Sequence, residues 1–124
     1  MEPEQTLNTP LKLALGILPA AWLMMGCQSH SVYYWGHYQQ VVYATYSDPG
    51  KTPAELQVRM MVEDKQKAAS AHKPLPPGFH AQLGYLYYRL GKPDAASQEF
   101  VAEKTQFPES TVLMDRLLAN LSKQ

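Results

Sequence analysis

The sequence predicts an all-α protein, about two helix pairs plus a closing helix after an N-terminal signal segment. Three observations carry this. No run of four or more residues alternates apolar and polar side chains between turn signals, as a half-buried strand requires. Phe79, Leu83, Leu86, Tyr87 and Leu90 fall at i, i+4, i+7, i+8 and i+11, one continuous helical stripe. Pro77, Gly91, Pro93 and Pro108 sit where helices start and stop. The chain has 124 residues, 45% of them apolar, and all eight tyrosines follow residue 32, so the body has the composition of a folded domain. Eleven basic residues against eleven acidic ones leave no electrostatic footprint for nucleic acid or an anionic membrane. A single cysteine excludes an internal disulfide framework and multi-cysteine zinc sites, and no cofactor or metal is expected.

The first element is an address. Residues 13–25 form an apolar run of 13 that ends at Gly26-Cys27. As a helix it would reach about 20 Å against a hydrocarbon core of roughly 30 Å, and Pro19 interrupts it, so it does not span a bilayer. A run of this length closed by a small residue reads as the apolar region and cleavage site of a secretory signal. It resembles the bacterial lipoprotein signal, with Met24 where that family prefers leucine. The resemblance implies that residues 1–26 are removed and that Cys27 is lipidated and becomes the mature N-terminus of a domain over 27–124. Gln28 and Ser29, with no aspartate after the cysteine, resemble lipoproteins forwarded to the outer membrane. Glu2 and Glu4 place negative charge where a signal carries positive charge. Translation therefore starts either at Met1 or, through an alternative start codon, at Leu11, which would leave Lys12 as a basic front. The other reading of Cys27 is a small buried hydrophobe in an N-terminal helix.

The next elements follow in chain order. Aligning Gly50-Lys51 on Gly91-Lys92 sets Val42 on Leu83 and Tyr46 on Tyr87, a weak upstream copy of the later helix pair. Thr52-Pro53-Ala54-Glu55 reads as a capping box with proline at the first helical position. A helix over about 53–71 follows, with Ala54, Val58 and Met61 on its apolar stripe. On its wet side, Glu55 with Arg59 and Glu63 with Lys67 are i,i+4 pairs. Lys73-Pro74-Leu75-Pro76-Pro77 is a stiff connector that cannot continue a helix. The helix carrying the Phe79 stripe then ends at Gly91. Pro93 opens the next, with Asp94 in its first turn and Ala96, Phe100 and Phe107 facing back. Pro108 ends it, and Leu113, Leu117 and Leu121, with Met114 and Leu118 alongside, form the closing helix from near Ser110.

Residues 77–110 resemble a tetratricopeptide repeat: Leu83, Gly84, Tyr87, Ala96, Phe100 and Pro108 stand in that pattern's register. His80 replaces its tryptophan and Glu103 its small residue. In this reading Gly84 lets two helices approach closely over Ala96. Trp35-Gly36-His37-Tyr38, the long middle helix, the Pro-Pro-Gly entry and Met114-Asp115-Arg116-Leu117 together resemble a family of small bacterial outer-membrane lipoproteins of unknown function. That family is often encoded beside a lipoprotein similar to the curli secretion pore. The resemblance covers 27–123 and implies a location and a class of partner, and no catalytic residue.

For chemistry, His30, His37, His72 and His80 have no histidine or carboxylate partner at metal-ligand spacing within a helix, and read as structural or solvated. No Gly-x-Ser-x-Gly, phosphate loop or dinucleotide fingerprint occurs. Glu99 and Glu103, four apart, read as exposed solvating charge. With Leu83 and Tyr87 committed to the core, Ala81, Tyr85, Tyr88 and Arg89 lie on another face, which in repeats of this kind lines a partner-binding groove. The alternative is that Tyr85 and Tyr88 cover a neighbouring helix. Trp35 and Tyr38 belong either to the core of the first helix pair or, with Tyr33 and Tyr34, to the headgroup level beside the anchor. The expected function is a non-enzymatic, lipid-anchored adaptor or assembly factor on the periplasmic side of the outer membrane. Its expected partner is another envelope protein, a pore-like lipoprotein being the one the resemblance suggests. The alternatives are a pilot lipoprotein for a secretin-type pore and a cell-wall enzyme.

Overall fold

In the computed structural model, proline or glycine stands at most of the helix ends. The structure describes residues 30–123, so the signal segment, the choice of start and Cys27 lie outside the described residues. Within the unit Ser31–Gln124 the order is α1 (Tyr38–Tyr46), α2 (Ala54–Ser70), α3 (Phe79–Arg89), α4 (Pro93–Gln106), a 3-10 turn (Pro108–Ser110) and α5 (Thr111–Leu121). The described residues are all-helical and contain no strand.

α3 and α4 make the most extensive contact, joined by Leu90-Gly91-Lys92. Gly91 takes φ +69°, and the N–H groups of Lys92 and Gly91 donate to the carbonyls of Tyr87 and Tyr88 at 2.9 and 3.0 Å. That is the left-handed helix stop glycine supplies without Cβ strain. Pro93 then begins α4, where its missing N–H leaves nothing unsatisfied. A Cβ on Gly84 would lie 2.6 Å from Cε1 of Phe100 and 3.1 Å from the carbonyl oxygen of Ala96, so the close approach of α3 to α4 requires glycine there. α2 ends by the same device with a different residue. His72 takes φ 52°, and the N–H groups of Lys73 and His72 donate to the carbonyls of Ala68 and Ala69.

The core is two clusters. The first gathers Val41, Met61, Ala68, Leu75, Phe79, Leu83 and Leu86 from α1, α2, the proline connector and α3. The second gathers Ala96, Phe100 and Met114 from α4 and α5, and Tyr87 packs against both. Each large side chain fully withdrawn from water here contributes about 1.5–3 kcal/mol.

Several expected registers shift by a residue. On α1 the buried positions are Val41 and Thr45, not Val42, and Tyr46 is 65% exposed, so the upstream alignment fails at both sites. On α2 the buried line is Gln57, Met61, Asp64 and Ala68, with Ala54 and Val58 only flanking it. The capping box does not form: Pro53 is itself the N-cap, and no side chain caps the helix. The Thr52 carbonyl instead accepts from the Gln57 amide at 2.8 Å. On α5 Met114 is buried while Leu113 is 57% exposed. Phe107 does not face α3; it lies past the end of α4 and meets the ring of Tyr33 at 6.5 Å.

Candidate functional site

The polar residues buried between these helices set their entry points. Asp64 on α2 is fully buried. Its carboxylate accepts from the backbone N–H of His37 at 2.6 Å and lies 3.0 Å from the His37 ring Nδ1, so it holds the first residues of α1 from another helix. Gly36 lies so close to Asp64 that a Cβ there would overlap the carboxylate. Glu103 on α4 repeats the arrangement on α3, accepting from the N–H of Gly78 at 2.7 Å and of Ala81 at 3.3 Å. Both carboxylates satisfy donors that a helix start leaves orphaned, and both place negative charge at the favourable end of the dipole. Burial first, and then the Glu103 charge, push the Tyr38 phenol above its ordinary range.

Glu99, one turn before Glu103, links three elements. One oxygen accepts from Lys65 of α2 at 2.7 Å and the other meets His80 Nδ1 of α3 at 2.5 Å. The other ring nitrogen of His80 lies 3.2 Å from the side-chain amide of Gln106. Burial raises the Glu99 carboxyl, but the hydrogen bonds from His80 and Lys65 together outweigh it and hold the group below its ordinary range. Glu99 and Glu103 are therefore 8% and 1% exposed rather than solvating charge, because their partners come from other helices. A second polar chain joins α3, α1 and α2: Gln82 donates to Thr45 at 2.9 Å, and the Thr45 hydroxyl lies 2.7 Å from the Gln57 carbonyl. Among the described residues no buried side-chain nitrogen or oxygen is unpartnered, and none forms a three-ligand metal cluster.

The surface feature that these helices hold in place is aromatic. Tyr85, the first expected groove residue with a large ring, is half-buried and stacks on Tyr46 of α1 with centroids 6.3 Å apart and planes at 12°. Tyr88 is 39% exposed, and with Tyr85 it lines a recess of about 130 Å³ whose other walls are Phe100, Leu117, Asn120 and Leu121. Arg89 is exposed beside it, whereas Ala81 is half-buried against the second core cluster. Tyr46 continues the surface to Tyr43, which is 63% exposed, and both line a further shallow recess over α1. Neither Tyr43 nor Tyr46 stands among the groove residues that the sequence suggests, because the upstream alignment sets Tyr46 on the core position of Tyr87. The one-residue register of α1 is what separates the two readings. Trp35 is 39% exposed, donates to Ser31 at 2.9 Å and stacks on Tyr38, whose ring meets Phe79; Tyr38 reaches the core and Trp35 lies over it.

The model of a family described as a domain of unknown function (DUF4810) matches residues 32–117. The chain belongs to this DUF4810 family. The DUF4810 match takes in α1 to α4 whole and enters α5 as far as Leu117, so it includes both tertiary caps, the Glu99 network and the four tyrosines. No curated protein and no solved structure matches the chain.

Proposed function

We propose that this chain is a lipid-anchored protein-binding adaptor on the periplasmic side of the outer membrane. Cys27 would carry the anchor, and the body would be two tetratricopeptide-like helix pairs with a closing helix. The observation that carries the binding reading is the run of Tyr43, Tyr46, Tyr85 and Tyr88 across α1 and α3, two of them more than 60% exposed. Tyrosine offers a large rigid contact area at little entropic cost, and with arginine it is enriched where partners grip. Ala81, Tyr85, Tyr88 and Arg89 form the binding face in this reading, extended by Tyr43 and Tyr46. The repeat reading is supported by the Gly84–Phe100 approach and by the recurrence of a buried carboxylate at the start of α1 and of α3. The partner class, an envelope component such as a pore-like lipoprotein, comes from the sequence resemblance.

Two measurements test this. Cys27→Ser removes the thiol that would take the lipid, so the variant should leave the outer-membrane fraction and accumulate as soluble or uncleaved precursor; retention beside wild type removes the anchor from the reading. Capture from detergent-solubilised envelope should return a stoichiometric lipoprotein. Recovery of a secretin subunit would replace the adaptor reading with the pilot reading.

A further inference from the structure

A groove of about 660 Å³ runs between α2, the proline connector and the end of α4, with Val32 and Tyr33 closing one side. Its walls are apolar, chiefly Val32, Ala68, Leu75 and Phe107. Its charged lining is Lys65 and Lys73, and none of the described residues lining it is acidic. Lys65 spends one of its three donors on Glu99 and remains 36% exposed, so two N–H groups are left for a ligand. Glu99 and His80 stand behind Lys65 and Gln106 and fix both, one through an ion pair and the other through the His80 ring. The Lys65 ammonium is thus held by Glu99 and the Gln106 amide lies against His80, while Lys73 is exposed.

We propose that this groove binds a long-chain carboxylate, the chain lying along Ala68, Leu75 and Phe107 and the carboxylate meeting Lys73. The groove is open to solvent, so it offers a bound chain one apolar side and leaves the other in water. The occupant is a fatty chain with an anionic head because the groove sets an apolar strip of Val32, Ala68, Leu75 and Phe107 beside ammonium groups and no carboxylate among its described lining residues. The site is separate from the tyrosine face and does not depend on the adaptor reading.

The test is a titration of the full chain with octanoate, decanoate and dodecanoate below their micelle concentrations, followed by side-chain methyl NMR. Saturable shifts should concentrate on Ala68, Ala69 and Leu75. Affinity should rise about two- to fourfold for each added methylene. Two exposed positions give variants that leave the core intact. Lys73→Glu should weaken decanoate about tenfold, and Ala69→Trp, which fills the trough, should abolish the Leu75 shifts; both should keep the wild-type helical circular dichroism. Decanol binding as tightly as decanoate would contradict the anion assignment. Shifts confined to the methyl groups of Leu117 and Leu121 beside the tyrosine recess, tighter competition by a peptide with a free C-terminal leucine, or capture by phosphatidylglycerol vesicles unaffected by Ala69→Trp would each overturn the proposal.

Discussion

Glu103 does at one residue what a helix N-cap ordinarily does within its own segment. Gly78, the N-cap of α3, has no side chain to offer, and the carboxylate arrives from α4 to take the N–H groups of Gly78 and Ala81. Removing it leaves two donors beside a packed core, and charge-assisted bonds of this kind contribute about 1.5–3 kcal/mol. Glu103→Ala should therefore cost about 2–4 kcal/mol in urea unfolding, and Glu103→Gln, which keeps an acceptor, clearly less. Glu99 gives a pH signature. Its carboxyl is held below the ordinary range in the folded protein, so its stabilisation is fully present above the unfolded carboxylate value of about 4.3 and is lost as pH falls through the folded value. Glu99→Gln should be destabilising at pH 7, and its difference from wild type in thermal unfolding should shrink toward pH 3. A difference that stays constant would mean the charge of Glu99 contributes nothing. The exposed Glu63–Lys67 pair also shifts both partners toward their charged forms, Glu63 down and Lys67 up, each chiefly through its hydrogen bond to the other. Solvent screens such pairs.

At the scale of elements, α3 against α4 is the contact most open to substitution. Gly84→Ala gains up to about 1 kcal/mol of helix propensity but drives a Cβ into Phe100 and the Ala96 carbonyl, at about 1–3 kcal/mol. The clash wins, so Gly84→Ala should destabilise and Gly84→Leu more so. Phe100→Leu should cost less in the Gly84→Ala background than in wild type, a coupling measurable as a double-mutant cycle. The helix boundaries here were legible because their causes are local: Gly91 and Pro93 act within a turn of themselves. Gly84 was legible because small residues at a contact leave a mark in the pattern. Registers were less so. Val41 and Val42 are adjacent and equally apolar, and only the placement of α2 and α3 decides which is buried. The capping box read from Thr52 failed because the residue after it, Pro53, occupies the cap position and the Thr52 carbonyl is committed to Gln57.

Over the whole of Ser31–Gln124, the folded body depends on residues distant in sequence meeting through polar groups. His37 with Asp64 and Lys65 with Glu99 are 27 and 34 positions apart, spacings that no local pattern marks, which is why Glu99 and Glu103 read as solvent-facing in the sequence. Tyr87, packed against both core clusters, joins the first three helices to the last two. That frame holds Tyr85 against Tyr46 and presents Tyr88 and Arg89 on the outside. Arg89 and Tyr88 are exposed at the end of α3, so altering them leaves both clusters filled. The central claim is that this face grips an envelope protein. Its most direct test is quantitative recovery of that partner by wild type and by the Tyr88→Ala, Arg89→Ala double variant, with unfolding of both measured in parallel. The double variant should lose on the order of 2–4 kcal/mol of binding, with stability changed by less than about 1 kcal/mol. Undiminished recovery of the partner, or a stability loss that accounts for all of the lost binding, would contradict it.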